Sequence, residues 1–508
     1  MTNLNVSAPL TRDEVLAFLG QNEHRQLSNK VLHGHPSPAF WSESGEHPAV
    51  RASWQAQRDQ PARINLYFSI PFCLPTDPPH CGFCLFPTED FRGKDSASAY
   101  LDLLAREVDM YREDFEGCTL ESLYVGGGTP NLLHAKDYQR LIDLAERLFP
   151  GQTRHVEKTL EGIPQLFTRD KIDAIRQAGF NRVSMGVQQL NESLIRYSGR
   201  KQTNQQVFQA IHAFKDNQLA CNIDLIYGWP EQTIEDMLEG LAQVADCGIQ
   251  HITHYELNIA GRSDFATRQK ALVPSVPQKL QMYLAAQAYL SGRGYVQRTV
   301  YDWERPESNR LESGLRAHEY RYEQNLRQSC SVDGSSEPQY MCGLGHAAIN
   351  VRAHPAATLS PPISTMNHRT LTRYAADVRE GRLPIDRVFV HTQEDVRLLW
   401  LFQALQEMRV DFSAYQRTFG LPFLPHHSAI VEALTERGWA TLAAASADAP
   451  SGALALTRTG GFFVPLIQSQ IAHSRVRTLM QGQPTKPLPE RRIPIHSLDQ
   501  SAPAHIHG

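Results

Sequence analysis

Between Arg63 and Leu257, short β-branched or aromatic runs alternate with longer amphipathic stretches, and no other feature of the 508-residue chain restricts its fold as strongly. The runs are Ile64–Ile70, Leu123–Val125, His155–Leu160, Arg182–Val187, Asn222–Tyr227 and His251–Leu257. Between them Ala99–Phe115, Ala135–Leu148, Arg169–Ala178, Asn204–Asn217 and Ile234–Asp246 carry apolar residues at helical spacing. Such alternation requires a parallel sheet with right-handed crossovers, and about six units predict an α/β fold with a partial (β/α)6 TIM-like barrel. Sites in such barrels lie at the C-terminal ends of the strands. Cys73, Gly126–Pro130, Glu161 and Gln188 each follow a predicted strand.

The rest of the chain divides around this barrel. Residues 1–60 read as an N-terminal arm, with helical spacing at Thr11–Leu19 and a proline-broken connector at His33–Trp41. The barrel is assigned to 61–300, and 301–390 to a barrel-closing extension in which Gly343–Asn350 reads as a tight glycine turn after Tyr320, Arg321, Tyr322 and Arg327. Residues 391–470 give helices followed by a hairpin pattern, a small C-terminal winged-helix-like domain. The final 471–508 lacks periodicity and reads as a disordered tail whose basic residues, Arg475 and Arg477 among them, are solvated.

Composition narrows the class. The formal charge of −4 and pI near 6.6 give no global attraction to nucleic acid or anionic membranes. No run reaches the roughly 18 apolar residues a spanning helix needs. The N-terminus lacks a signal-peptide pattern, and eight cysteines are too few for a disulfide scaffold, so the cytoplasm is the expected compartment. Cys118, Cys221, Cys247, Cys330 and Cys342 are scattered, as buried small hydrophobes are, whereas Cys73, Cys81 and Cys84 share one loop.

These three cysteines have the spacing C-x7-C-x2-C. A structural zinc site needs a fourth ligand, which His80 supplies in a Cys3His alternative. A [4Fe–4S] cluster held by three thiolates instead leaves one iron open to a small molecule.

The segment Tyr67–Cys73 (YFSIPFC), the pair Phe83–Cys84 after Gly82, Gly126–Pro130 (GGGTP), Phe180–Gln188 (FNRVSMGVQ), Arg200 and Asn222–Pro230 (NIDLIYGWP) occur in order. In these motifs the chain resembles radical SAM enzymes of the oxygen-independent coproporphyrinogen III oxidase-like (HemN-like) family, from about Ile64 to Pro230 and more weakly beyond. The resemblance implies a radical SAM barrel binding a [4Fe–4S] cluster through Cys73, Cys81 and Cys84, and one or two molecules of S-adenosylmethionine. A reduced cluster would cleave the sulfonium to methionine and a 5′-deoxyadenosyl radical, with a flavodoxin or ferredoxin as electron donor. The cofactors carry the hard chemistry, and the protein supplies position and a dry cavity.

The resemblance also implies SAM contacts at Tyr67, Phe83, Gly127, Gly128, Thr129, Glu161, Gln188, Arg200, Asp224 and Ile349. The residues are chemically suited to this. Glycines at Gly126–Gly128 leave backbone groups open to an amino-acid-like ligand, Glu161 can accept from or pair with a methionyl amine, and Ile349 offers an apolar contact to adenine. Arg200 offers a planar fork to a carboxylate, and Asp224 offers acceptors to an ammonium or a ribose hydroxyl. Each also has a plain structural reading: a βα turn for the glycines, a solvated charge for Glu161, structural polar bonds for Gln188, Arg200 and Asp224, and core packing for Tyr67 and Phe83.

Two family features are absent. The family's usual C-x3-C-x2-C is lengthened here by four residues within Leu74–His80, and the prolines Pro75, Pro78 and Pro79 stiffen the longer loop. Phe86 stands where coproporphyrinogen oxidases have a fourth cysteine, and Ser69 where they have a histidine. Those replacements argue against decarboxylation of coproporphyrinogen itself. Three readings remain: a radical enzyme on a tetrapyrrole or related aromatic substrate, a class C radical SAM methyltransferase, and a haem-binding chaperone for which His33, His35, His254 and His346 are candidate ligands. His251 and His254, three apart on a strand, face opposite sides and form no local metal pair.

Overall fold

The computed structural model describes residues 10–25, 34–43, 48–259, 263–306, 338–355, 361–446 and 451–481. Six parallel strands form the barrel wall: β1 (Arg63–Ile70), β2 (Thr119–Gly127), β3 (Glu157–Gly162), β4 (Arg182–Gln188), β5 (Ala220–Tyr227) and β6 (His251–Glu256), hydrogen-bonded in chain order. Helices α1 (Lys94–Tyr111), α2 (Ala135–Leu148), α3 (Arg169–Gln177), α4 (Asn204–Asp216) and α5 (Ile234–Asp246) connect them. The wall is partial, because β1 and β6 do not meet. An antiparallel strand, β7 (Asp302–Glu304), flanks β6, and β8 (Gln339–Gly345) runs parallel to β1 on its other side.

Strand alternation separates two environments. Ile64, Leu66, Phe68, Ile70, Leu123, Val125, Leu160, Val183, Met185 and Ile223 point to the helices and form the main core. The opposite face is polar. Asn65 accepts from Ser122 (2.6 Å), Arg182 donates to Thr159 (3.2 Å), and Thr253 is hydrogen-bonded to Asn222 (3.1 Å) and Asp302 (3.0 Å). Below the strand ends the inner wall is thus a buried polar network and not an apolar plug.

The predicted glycine turn is a hairpin. Gly343 and Gly345 belong to β8, Ile349 and Asn350 open β9 (Ile349–Arg352), and the chain reverses at His346–Ala348. The short apolar stretches around the glycines are strands in their own right, held by pairing with β1 on one side and, through β9, with β10 (Ile363–Asn367) and β11 (Ile385–Val390) on the other. Tyr320, Arg321, Tyr322 and Arg327 lie outside the described residues.

Glu107 of α1 fastens this extension to the barrel. It is fully buried and accepts from Tyr374 Oη (2.7 Å), Asn367 Nδ2 (2.7 Å) and the Gly345 N–H (2.8 Å). Burial pushes its carboxyl up from 4.5 to about 7, against the three donors. The stability this proton contributes is fully present below about 4.5 and is lost as pH rises through about 7. Glu107→Gln is therefore expected to remove the Glu107 share of the fall in urea-unfolding stability across that window, leaving the shares of the other buried carboxyls. Glu107→Ala, which strands three buried donors at about 1–3 kcal/mol each, is expected to cost roughly 3–5 kcal/mol.

The C-terminal domain has the order Gln393–Gln406 (helix), Arg409–Asp411 (strand), Phe412–Phe419 and Phe423–Glu436 (helices), then strands Ala440–Ala443 and Ala453–Leu456. The three strands form an antiparallel sheet with the last in the centre, a winged-helix arrangement. Thr11 caps an N-terminal helix, Arg12–Asn22, whose Val15 and Leu19 enter the apolar core of this domain. Residues 473–481, expected to be irregular, form a helix. Arg475 makes a two-pronged bond to Asp395 (2.8 and 2.9 Å), which His35 of the arm also contacts (3.0 Å), while Val476 and Leu479 pack against neighbouring apolar clusters. Among the described residues no helix is long and apolar enough to cross a membrane.

Candidate active site at the strand ends

The three cysteines of the loop after β1 are half-buried and none is in a disulfide among the described residues. Burial pushes the Cys73 thiol up to about 12, opposed by a hydrogen bond from Thr129 and reinforced by Cys84 and Cys81 nearby. Thr129 Oγ1 lies 3.4 Å from Cys73 Sγ, and Arg200 Nη1 lies 3.9 Å from Cys81 Sγ. Among the described residues no three or more His, Cys, Asp or Glu side chains gather closely enough for a single metal ion. A lone zinc needs every ligand atom within about 2.0–2.3 Å of one point, so the Cys3His alternative gains no support. His80 Nδ1 instead meets Thr88 Oγ1 at 3.0 Å. Cys81 and Cys84 lie near enough to act on the Cys73 thiol, and three thiolates on one loop match in number the protein ligands of a cluster with one open iron.

The glycine run does something other than expose its N–H groups. Gly127 donates to Glu161 Oε2 (3.2 Å), Gly128 to the Ile70 carbonyl (2.7 Å) and Thr129 to the Phe72 carbonyl (2.7 Å). All three donors are spent on protein. A Cβ at Gly128 would sit 2.4 Å from the Phe72 carbonyl oxygen, so glycine there permits the close approach of two backbones just before Cys73. At Gly126 a Cβ would lie 2.6 Å from Glu161 Oε2 and 3.0 Å from Tyr67 Oη, which shows that these polar groups converge over that glycine.

Half-buried Glu161 and buried Asp224 form an acidic pair on the inner wall, with β4 between their strands. Burial, then the charge of Asp224, raises the Glu161 carboxyl to about 8, with the Gly127 N–H opposing. Burial likewise raises Asp224 to about 6, opposed chiefly by Asn222, which donates at 2.6 Å, and by Arg182 and Ser184 (3.3 Å). The pair is electrostatically suited to a cationic ligand. Gln188 ends β4 with φ +68°, a left-handed conformation rare outside glycine, at a shift in the register with β5. Arg200 reaches the same strand end, donating to the Gly186 carbonyl (2.5 Å) and to Gln202 Oε1 (2.9 Å).

The remaining expected residues divide. Tyr67 stacks on Tyr124, and Phe83 packs edge-on to Trp229 beside Phe265. Ile349 packs with Trp41, Met366 and Phe389, a cluster containing none of the strand-end residues. Asn222 and Ser184, which orient Asp224, were not singled out from sequence. Their two-residue spacing from Asp224 and Gly186 on predicted strands was the available signal. Of the histidines considered for haem, His35, His254 and His346 are buried, and His33 lies outside the described residues.

Known proteins resemble this chain in sequence and in fold. The model of the radical SAM superfamily matches residues 78–243. The oxygen-independent coproporphyrinogen III oxidase of Salmonella typhimurium is 28% identical over 407 residues, 79% of this chain and 84% of that one. The heme chaperone HemW of Escherichia coli is 27% identical over 244 residues, 48% of this chain and 63% of that one. The solved coproporphyrinogen III oxidase of Escherichia coli superimposes with a TM-score of 0.70 at 24% identity, covering 86% of this chain and 96% of that one, and so shares the fold. A [4Fe–4S] cluster and S-adenosylmethionine are the characteristic cofactors of these proteins. With the barrel, the cysteine loop and these relatives in agreement, the chain is similar in sequence and in fold to the coproporphyrinogen III oxidase-like proteins of the radical SAM superfamily.

Proposed function

We propose that this chain holds a [4Fe–4S] cluster on Cys73, Cys81 and Cys84 and cleaves S-adenosylmethionine reductively, directing the resulting radical at a tetrapyrrole or related aromatic substrate. The observation carrying this reading is the link from thiol to acidic pair: Thr129 meets Cys73, and Gly127, two residues earlier, meets Glu161 beside Asp224. A ligand that is permanently cationic at sulfur fits between thiols and carboxylates. When bound, the cluster supplies one electron to that sulfonium.

The protein's own contributions follow from its contacts. Glu161 accepts from the ligand amine and, when ionised, offsets the sulfonium charge. Asp224, aligned by Asn222 and Ser184, offers an acceptor two strands away on β5, and the Arg200 guanidinium offers the ligand carboxylate a donor. The Tyr67 and Phe83 rings cover the site and limit water, with the Tyr67 hydroxyl turned toward the Glu161 side. The tetrapyrrole class is supported by the relatives, while Phe86 and Ser69 point away from decarboxylation of coproporphyrinogen. Burial of the three described histidine candidates weighs against a haem-delivery reading based on them.

Anaerobic incubation of reconstituted protein with S-adenosylmethionine and dithionite is expected to yield 5′-deoxyadenosine. Its absence with every tetrapyrrole tried, together with stoichiometric haem binding, would overturn the enzymatic reading in favour of a chaperone. S-adenosylhomocysteine formed alongside 5′-deoxyadenosine would reassign the reaction to methyl transfer.

A further inference from the structure

The loop between Cys73 and Cys81 is held from the side by a turn outside the cysteine motif. Gly199, immediately before Arg200, has φ +65° and ψ 9°. A Cβ at this position would lie 2.1 Å from the Asp77 carbonyl oxygen, 2.5 Å from its carbonyl carbon and 2.7 Å from its nitrogen. These are backbone atoms, so no side-chain rotation relieves the overlap. A left-handed turn alone would accept asparagine. Only glycine accepts both the turn and the approach of Asp77.

The loop itself is stiff enough to transmit a displacement. Thr76 Oγ1 accepts from the Cys81 N–H (2.9 Å) and donates to the Pro78 carbonyl (2.8 Å), and the Cys84 N–H donates to the His80 carbonyl (3.0 Å). His80 and Cys81 both have φ +55° and Gly82 has φ +71°, three left-handed residues in succession, two of them bearing side chains. Such backbone persists only where its surroundings over-determine it. On the opposite side a Cβ at Gly82 would meet the Phe265 ring at 2.8 Å and Pro78 Cγ at 2.9 Å. The turn that receives Asp77 also carries Arg200, whose Nη1 stands 3.9 Å from Cys81 Sγ.

We infer that Gly199 is a positioning residue for the cysteine loop: its missing side chain lets the Asp77 backbone seat on the turn and fixes Cys81 beside Arg200. The functional consequence rests on Cys81 being a cluster ligand, as proposed above. Any side chain at 199 pushes Asp77 outward, and because Thr76 ties that stretch to the Cys81 N–H, the left-handed backbone at Cys81 and its thiol move with it.

The test uses Gly199→Ala and Gly199→Asn in the full chain. In the cluster-free protein, hydrogen exchange across residues 74–84 is expected to accelerate about tenfold or more in both variants, with the global melting temperature that of the parent. After anaerobic reconstitution both are expected to hold less iron and sulfide than the parent. Deleting Pro75–Pro78 removes the backbone that a Cβ would strike, so adding Gly199→Ala to that deletion is expected to change neither exchange nor iron content further. Parental exchange in Gly199→Ala overturns the inference. So does an asparagine variant that behaves as the parent while alanine does not, because φ and not the close approach would then be the cause. A penalty from Gly199→Ala that persists in the shortened loop overturns it as well. A parent chain that takes up no iron sinks the cluster assignment instead, and the exchange comparison still decides the role of Gly199.

Discussion

Cys81→Ala is expected to abolish the visible iron–sulfur absorption of the reconstituted protein, its reduced-cluster EPR signal and its formation of 5′-deoxyadenosine. The substitution isolates the sulfur. Alanine carries the same Cβ into the same left-handed conformation at φ +55°, so backbone strain is unchanged. The thiol is half-buried, and its loss removes little apolar contact, so the melting temperature of the cluster-free variant should match the parent. Two remaining thiolates cannot hold a four-iron body whose sites each require a ligand. Cys247→Ala is the control: Cys247 stands alone at the end of α5, and its replacement should leave absorption and EPR intact. Retention of the absorption in Cys81→Ala would show that the cluster, if bound, is ligated elsewhere.

The features legible in the sequence were those decided by local periodicity. Ala135–Leu148 and Ile234–Asp246 are helices over the ranges their spacing predicts, because each buries one apolar stripe against the sheet. The same alternation placed Cys73, Glu161 and Gln188 at strand ends. What the sequence left open depends on contacts between distant segments. The glycines of the Gly126–Gly128 run are explained by the Phe72 backbone and the Glu161 carboxylate, and Gly199 by Asp77, none of which a linear pattern reveals. The helix at His473–Gln481 is held by an ion pair to Asp395, 80 residues away, and by Val476 and Leu479 against apolar clusters of distant segments, contacts that a nine-residue stretch does not announce. The turn at His346–Ala348 lies within the predicted glycine turn, but its flanking strands were hidden by glycines that serve strand packing: a Cβ at Gly343 would lie 2.6 Å from the Ile349 carbonyl oxygen.

Glu161→Gln is expected to weaken S-adenosylmethionine binding by about 10- to 100-fold, since a charge-assisted hydrogen bond contributes roughly 1.5–3 kcal/mol and each 1.4 kcal/mol is tenfold. The shape of the side chain is kept, and the Gly127 N–H can still meet an amide oxygen, so the loss reports charge. The pH dependence separates this from a steric effect. In the ligand-free protein burial and Asp224 hold the Glu161 carboxyl at about 8, so at neutral pH it is mostly protonated. A cationic sulfonium favours the ionised form, and binding below about 8 must therefore expel a proton. Affinity of the parent is expected to rise with pH up to about 8 and then level off, with a proton release visible as a buffer-dependent heat in calorimetry. The ligand's own amine titrates in both proteins and cancels in the comparison. Glu161→Gln should lose the Glu161 share of the slope and the matching proton release, leaving only the weaker contribution of Asp224, which titrates near 6. Equal affinity and an equal pH slope in parent and variant would remove Glu161 from the cation site and leave Asp224 as the acid that faces the ligand.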